Sequence, residues 1–226
     1  MKLSVIMPVY NEVETLDRIV ERILRVPLDI ELIIVDDGST DGSREKAVKL
    51  SEDRRVTTFL QPKNMGKGAA VRKGIELASG EIILIQDADL EYCPEEYSML
   101  ISPIVDGWAD AVYGSRFYGT HRVFLIWHLL GNQFLTFITN LLYNTTLTDM
   151  ETCFKAVRAD ILKSIKLSSN GFDIEPEITA KIFKKKLRVY EMPITYHGRD
   201  YKEGKKLKWT DALPALWAII KYRFVD

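Results

Sequence analysis

Three carboxylates, Asp87, Asp89 and Glu91, stand at alternate positions directly after the apolar run Ile82-Ile83-Leu84-Ile85. A run of that composition reads as a buried parallel strand. Acids at i, i+2 and i+4 on an extended backbone share one face, and three hard oxygen donors there suit Mg²⁺ or Mn²⁺. Magnesium commonly keeps waters and takes only one or two protein carboxylates, leaving its other positions to phosphate oxygens. The spacing therefore points to metal-assisted chemistry on a phosphorylated substrate, with an acidic, solvated turn as the plain alternative.

Two more strand ends carry polar clusters upstream. Residues 3–7 form an apolar strand closed by Pro8-Val9-Tyr10-Asn11-Glu12, and residues 31–35 form another closed by Asp36-Asp37-Gly38-Ser39-Thr40-Asp41-Gly42. Helical stretches at 15–25 and 43–51 separate them. Strand and helix in alternation predict a parallel α/β sheet, whose ligands sit outside the carboxyl ends of the strands. All three clusters then share one rim. Asp36 and Asp37 are placed to hydrogen-bond a ribose or a base edge, while Ser39, Thr40 and Asp41 also suit the capping of the next helix. Tyr10 or Asn11 would either meet a base or make the turn. Asn64-Met65-Gly66-Lys67-Gly68-Ala69-Ala70 opens a helix running to about residue 78. Glycines there would let backbone N–H groups approach phosphate, with Lys67 as a point charge. The spacing is neither the P-loop nor the Rossmann fingerprint, and an ordinary strand-to-helix turn explains it equally.

In this order the four motifs resemble the nucleotide-sugar domain of family 2 inverting glycosyltransferases, the GT-A fold. The family's P-x-Y-N-E stands as Pro8, Tyr10, Asn11 and Glu12, and its D-D-G-S-x-D begins at Asp36 and Asp37. Its N-x-G-x-G-x-A contains Gly66, Lys67 and Gly68, and its D-A-D is Asp87-Ala88-Asp89. The branch that resembles dolichol-phosphate mannose and glucose synthases adds a metal ligand at the position of Glu91. It also has a G-S-R ending in Arg116, and a later arginine and lysine that match Arg199 and Lys205. The resemblance implies a mostly parallel central sheet flanked by helices, with amphipathic interface helices after the sheet core. It implies a metal, Mg²⁺ or Mn²⁺, on Asp89 and Glu91, with Asp87 supporting it or reaching the sugar.

Cations beyond the motifs fit that expectation. Arg116 follows an apolar strand at 109–113 and so reaches the same rim. Residues 196–206 form a glycine-punctuated loop carrying Arg199, Lys202, Lys205 and Lys206, able to cover a diphosphate or receive an acceptor phosphate. A solvated charged loop is the plain reading. The resemblance selects Arg199 and Lys205 from it.

At 226 residues the chain is long enough for one sizeable core. We expect a single domain, with residues 1–118 as a nucleotide-sugar half and 119–226 as an acceptor and membrane-interface half. With 46% hydrophobic and 28% charged residues, disorder is excluded. A net charge of −1 argues against general nucleic-acid binding. From Lys181 onward, however, twelve lysines and arginines face five acids. That basic stretch bears Trp209, Trp217, Tyr222 and Phe224 and suits either an anionic membrane surface or a plain charged helix face. Cys93 and Cys153 have neither disulfide-framework nor metal spacing, so a reducing compartment is expected. The opening on a strand leads us to expect no signal peptide.

Residues 123–148 contain no charge. A membrane span is opposed by Gly131-Asn132-Gln133 in the middle and by His128 and Asn140, whose polar atoms lipid would not satisfy. The sequence predicts two amphipathic helices, broken near 131–133, lying at a membrane interface on Phe124, Trp127, Phe134 and Phe137. A buried helix pair is the alternative. We therefore expect a protein on the cytoplasmic face of a membrane, resting there or bound to a spanning partner.

The expected reaction is transfer of a hexose from a GDP-mannose or UDP-glucose type donor to polyprenyl or dolichyl phosphate, with inversion. An anionic acceptor needs no general base, so Arg116 and Arg199 would dock it, and Lys205 would meet the diphosphate or the acceptor. The rival enzyme glycosylates a saccharide or lipid hydroxyl with Asp149 as base, although the Q-x-x-R-W of processive synthases is missing. In the phosphate-acceptor branch an aspartate at this place orients the donor sugar or an arginine, and Glu175 would anchor a basic residue. Glu91 stands where mannose synthases more often carry glutamine, which leaves UDP-glucose and UDP-N-acetylhexosamines open as donors. A non-catalytic subunit would not need intact acidic clusters. A nucleotidyltransferase or dehydrogenase would need a glycine-rich loop where Pro8 to Glu12 stand.

Overall fold

A computed structural model describes residues 1–123, 125–199 and 209–225. Phe124, Lys202, Lys205 and Lys206 lie outside the described residues, and for Trp209 only the backbone is described. One seven-stranded sheet organises the chain. Its strands are β1 (Lys2–Val9), β2 (Asp29–Asp36), β3 (Val56–Leu60), β4 (Ile82–Ile85), β5 (Ala111–Ser115), β6 (Lys155–Arg158) and β7 (Val189–Pro193), in the spatial order β3-β2-β1-β4-β6-β5-β7. All neighbours run parallel except β6, which is antiparallel to both β4 and β5. This is the mostly parallel α/β sheet the sequence predicts. The edge strand β3 was not foreseen, because its Thr57 and Thr58 blur the apolar pattern and most of it is only half-buried.

The helices are α1 (Leu16–Arg25), α2 (Ser43–Leu50), α3 (Lys67–Leu77), α4 (Tyr97–Val105), α5 (Ile126–Tyr143), α6 (Ala159–Ser164), α7 (Ile174–Lys184) and α8 (Ala212–Phe224). Leu16, Ile19, Val20 and Ile23 recur at helical spacing and put one face of α1 on the core. Alanines and Gly74 let α3 approach β1 closely; a Cβ on Gly74 would stand 2.2 Å from the Ile6 side chain. With helices on both sides, the middles of β1, β2 and β4 are apolar on both faces.

The antiparallel strand decides what reaches the rim. Because β6 runs against β4 and β5, with Lys155 beside Tyr113 and Ala156 beside Leu84, its amino end lies where theirs are carboxyl ends. Residues 148–154, which precede it, therefore arrive at the rim with Asp87 and Arg116.

The uncharged stretch does not break at 131–133. It forms α5, a single helix of 18 residues. The Asn132 amide donates to the His128 carbonyl one turn back at 2.9 Å, so its polar atoms are used within the helix. Gly131 meets nothing around it. Only Leu135, Thr136 and Thr139 are buried along α5, while Trp127 is 79% exposed and Phe134 and Phe137 are exposed beside it. The helix α8 packs on α5 through the Tyr143 hydroxyl, which donates to the Ile219 carbonyl at 2.8 Å. It leaves Leu213, Trp217 and Phe224 outward. Among the described residues, no helix is long and apolar enough to cross a membrane.

Candidate active site

A cavity of about 870 Å³ opens over the carboxyl rim of the sheet. Pro8, Tyr10 and Glu12 after β1, Asp37 after β2, Gly66 and Lys67 at the start of α3, and Asp87, Ala88, Asp89 and Glu91 after β4 line it. Arg116, Arg199 and the apolar Leu125, Ile126, Trp127 and Leu135 line the same space.

The acids after β4 do not stand as the alternating triad the spacing predicts. The backbone leaves the extended conformation after Ile85, and Leu90 is left-handed with φ 64°. The carboxylates are therefore drawn apart. Asp87 pairs with the Lys67 ammonium at 2.8 Å. Asp89 Oδ2 accepts from the Arg199 guanidinium at 2.9 Å, and Glu91 Oε1 takes the Arg199 backbone N–H at 2.8 Å. Glu12 also accepts from that guanidinium at 3.3 Å. Among the described residues no group of three or more His, Cys, Asp or Glu side chains is disposed to hold a metal ion. What remains of the expectation is a pair of hard carboxylates, Asp89 and Glu91, already gathered around a cation.

Burial, reinforced by the charges of Glu91 and Asp87 and opposed by Arg199, pushes Asp89 up to about 8. Tyr196, which the sequence reading passed over, holds the other side of Glu91. Its hydroxyl donates to Glu91 Oε2 at 2.7 Å, and the Arg116 guanidinium lies 5.3 Å over its ring. One tyrosine thus links the acidic pair to the buried arginine.

Arg116 and Asp149 form a closed pair. Two side-chain bonds of 2.7 Å and a third from the Arg116 backbone N–H at 3.0 Å use both Asp149 oxygens. Burial works against the charge of Arg116, but Asp149 in bidentate contact more than offsets it. Asp149 is fully buried and does not line the cavity. Behind it, Glu191 on β7 accepts the backbone N–H groups of Thr148 at 2.9 Å and Asp149 at 3.3 Å. The geometry is that of an aspartate orienting an arginine, one of the three roles the sequence allows it.

Other expected donor residues are placed differently. The glycines of the α3 loop have no free N–H to offer a phosphate. Met65 and Gly66 donate to the Asp37 carboxylate at 2.7 and 2.9 Å, and Gly68 and Ala69 donate to the Asn170 carbonyl. A Cβ on Gly66 would stand 2.2 Å from the Asn170 carbonyl oxygen, and one on Gly68 would stand 2.4 Å from that of Ser169. Glycine is required by the crossing of two backbones. Asp36 is fully buried under its own turn, accepting from Gly38 and Ser39 N–H groups and from Arg44. Asn11, left-handed at φ 51°, accepts the Thr40 N–H at 2.9 Å and ties the first two turns together. Asp36, Asn11 and Gly68 shape the rim without lining the cavity.

Lys67 also reaches Glu175 at 3.2 Å, and Glu175 accepts from the buried Lys155 at 2.7 Å. Glu175 therefore anchors basic residues, as the resemblance implies. Glu151, another cavity residue, was missed in the sequence, where its signal was an acid set among Met150, Thr152, Cys153 and Phe154.

Comparison with known proteins gives the family and the fold. Residues 4–166 match the family described as Glycosyl transferase family 2. The chain is 33% identical over 211 residues to the dolichol-phosphate mannosyltransferase of Pyrococcus furiosus, covering 91% of this chain and 59% of that one. It is 32% identical over 211 residues to the polyprenol monophosphomannose synthase of Mycolicibacterium smegmatis, covering 89% and 79%. The chain thus spans less than two thirds of the archaeal relative and most of the mycobacterial one. Its fold matches glucosyl-3-phosphoglycerate synthase from Mycobacterium tuberculosis, crystallised with Mn²⁺, UDP and phosphoglyceric acid. The TM-score there is 0.77 at 18% identity, over 100% of this chain and 79% of that one.

Proposed function

The chain belongs to glycosyl transferase family 2, and on that premise we propose that it moves a hexosyl group from a nucleotide diphosphate sugar to a polyprenyl phosphate, with inversion. One observation carries the reading. One cavity is lined by the acids Asp87, Asp89 and Glu91, by Arg116, and by the apolar Leu125, Ile126 and Trp127. A donor diphosphate suits the acids with their cation, and an isoprenoid chain bearing a phosphate suits the apolar residues with Arg116.

The acceptor phosphate is anionic near neutral pH and attacks without a base. Its oxygen bonds to the sugar C1 from one side as the bond from C1 to the diphosphate oxygen breaks on the other. Attack needs the phosphate docked in line, and Arg116 and Arg199 are the guanidinium groups on the described cavity wall. Asp149, through its bidentate bond, fixes the direction of Arg116. Tyr10 and Asp37, which line the same cavity, are the proposed nucleotide contacts. Lys205 remains a proposed phosphate contact.

Asp89 and Glu91 fit a hard divalent cation, Mg²⁺ or Mn²⁺, as a two-carboxylate site. The sign that they do is the guanidinium they already surround. A cation bound there supplies charge neutralisation to the departing diphosphate. The mycobacterial fold relative crystallised with Mn²⁺ and UDP supports use of a divalent metal with a nucleotide diphosphate.

The exposed apolar faces of α5 and α8, with the basic stretch after Lys181, support seating on the cytoplasmic face of a membrane. Residues 119–226 then form the acceptor half and 1–118 the donor half. The test is nucleotide release from GDP-mannose, UDP-glucose and UDP-N-acetylglucosamine with Mg²⁺ or Mn²⁺, with and without polyprenyl phosphate. Release that requires the lipid, and is lost in Arg199→Ala, supports the proposal. Release that ignores lipid phosphate but rises with a saccharide or glycolipid acceptor overturns it.

A further inference from the structure

Four polar groups of residues 148–155 and of α7 have partners fixed by the fold: Asp149 on Arg116, Lys155 on Glu175, Thr148 on Glu191 and Glu177 on Lys181. Glu151 differs from them. Its Oε1 is shut off from water and has no hydrogen-bond partner, yet the residue lines the cavity. A buried polar atom left unpaired costs about 1–3 kcal/mol, so such atoms are few in folded proteins and call for a reason. Glu175 Oε1, on the same cavity wall, also lacks a hydrogen bond, although the Lys67 ammonium stands 3.2 Å from it.

The chemistry of these oxygens limits what would satisfy them. When ionised, a carboxylate is an acceptor only, so its partner must bring hydrogen-bond donors. A phosphate brings none when ionised and is repelled. The cations around Glu151 are already committed: Arg116 to Asp149 by two side-chain bonds and Lys155 to Glu175 and the Thr152 carbonyl. Burial outweighs those two cations and pushes the Glu151 carboxyl up to about 7. The group therefore stands between two closed ion pairs and faces the ligand space.

We propose that Glu151 reads the hydroxyl groups of the sugar being transferred, and so sets which hexose the enzyme accepts. The inference rests on the glycosyl-transfer reading of the cavity and adds a residue to it. Two parts of the donor carry adjacent hydroxyls with no charge of their own, the ribose and the hexose ring, and the ribose goes with the base that Tyr10 and Asp37 are proposed to meet. A carboxylate can take two hydroxyls of the hexose at once. Sites built around a buried acceptor discriminate strongly against a ligand lacking the matching hydroxyl, because the acceptor is then left unpaired.

The experiment compares each nucleotide sugar with its own sugar-free nucleotide diphosphate by calorimetry. GDP-mannose is set against GDP, and UDP-glucose and UDP-N-acetylglucosamine against UDP. The unaltered protein, Glu151→Gln and Glu151→Ala are measured. We expect the affinity ratio of the preferred sugar to its diphosphate to fall at least about 10-fold in both variants. Binding of the diphosphate itself should stay unchanged, which also reports that the variants fold. On the unaltered protein, monodeoxy forms of the same donor should lose at least about 10-fold at one or two hydroxyls, and Glu151→Gln should be indifferent to those deletions. An unchanged ratio in both variants, or deoxy donors that bind the unaltered protein as well as the parent, overturns the role of Glu151 while leaving the glycosyl-transfer reading in place. Failure of the unaltered protein to bind any of the three nucleotide sugars overturns that reading and the inference with it.

Discussion

The two ends of the sheet treat their charges in opposite ways. At the amino end, Glu31 on β2 accepts from the Ser4 and Ser79 hydroxyls, the Ser79 and Gly80 N–H groups and the Lys2 ammonium. Burial alone would raise its proton affinity, but those bonds bring it down to about 2. At the carboxyl end, burial and neighbouring carboxylates hold Asp89 near 8, and burial holds Glu151 near 7. One end spends its polar groups on holding strands together. The other keeps acids under-satisfied in a dry place, which is where ligand chemistry is done. The difference teaches that stability and function are separable along a single set of strands.

The largest effect should come from a rim pair that behaves like the amino end. Asp149→Asn leaves the Arg116 guanidinium buried without its counter-charge, and we expect a loss of about 3–5 kcal/mol in urea unfolding. Lipid-dependent turnover should fall with it, because Arg116 is no longer held in direction. A stable Asp149→Asn protein would erase the distinction between closed and open rim groups. Next is Asp89→Asn, which removes one of three mutually repelling acids. Transfer should drop by about 10²–10³-fold, while the midpoint of thermal unfolding holds or rises. A marked loss of stability there would mean that Asp89 serves the fold as Glu31 does.

Glu31→Gln is the mirror test. It should cost about 1–3 kcal/mol at neutral pH and leave kcat/KM untouched. A group whose folded pKa is depressed contributes stability that is complete above its ordinary value near 4.5 and lost as pH falls toward about 2. The gap between the two proteins, followed by thermal unfolding, should therefore be full at pH 6 and close on acidification.

What the sequence made legible follows distance along the chain. Asp87, Asp89 and Glu91 were readable as a rim cluster because the strand before them is local and unmistakably apolar. Their separation onto two cations was not, since Lys67 precedes Asp87 by 20 residues and Arg199 joins Glu12 across 187. Gly66 and Gly68 were seen, but for the wrong reason. The backbone that demands them belongs to residues 169–171, and nothing near residue 66 announces it. Gly131 misled in the other direction, because a glycine facing open space interrupts a pattern without interrupting a helix. Asp149 was legible as a candidate, yet its pairing with Arg116, 33 residues away in the chain, was not.

The smallest expected effect is the most diagnostic of the comparison, because it asks whether a rim acid weakens the fold in proportion to its readiness for ligand. Burial raises Glu151 from an ordinary 4.5 to about 7, with Glu175 and Asp149 adding to the rise and Lys155 and Arg116 opposing it. A raised acid contributes stability that is present below its unfolded pKa and lost as pH climbs through its folded one. Between pH 5 and pH 8 the unliganded protein should therefore lose stability that Glu151→Gln, neutral throughout, keeps. The cavity admits some water to the group, which discounts the full shift, and about 1 kcal/mol is expected, or about 2–4 °C for a chain of this size. Melting curves of both proteins should coincide near pH 5 and separate by pH 8, with the variant the more stable. If they stay together, Glu151 is satisfied by solvent and belongs with the closed groups. If they separate in the opposite order, its charge is welcome in the fold as the charge of Glu31 is, and the contrast between the two ends of the sheet fails at the residue where it was sharpest.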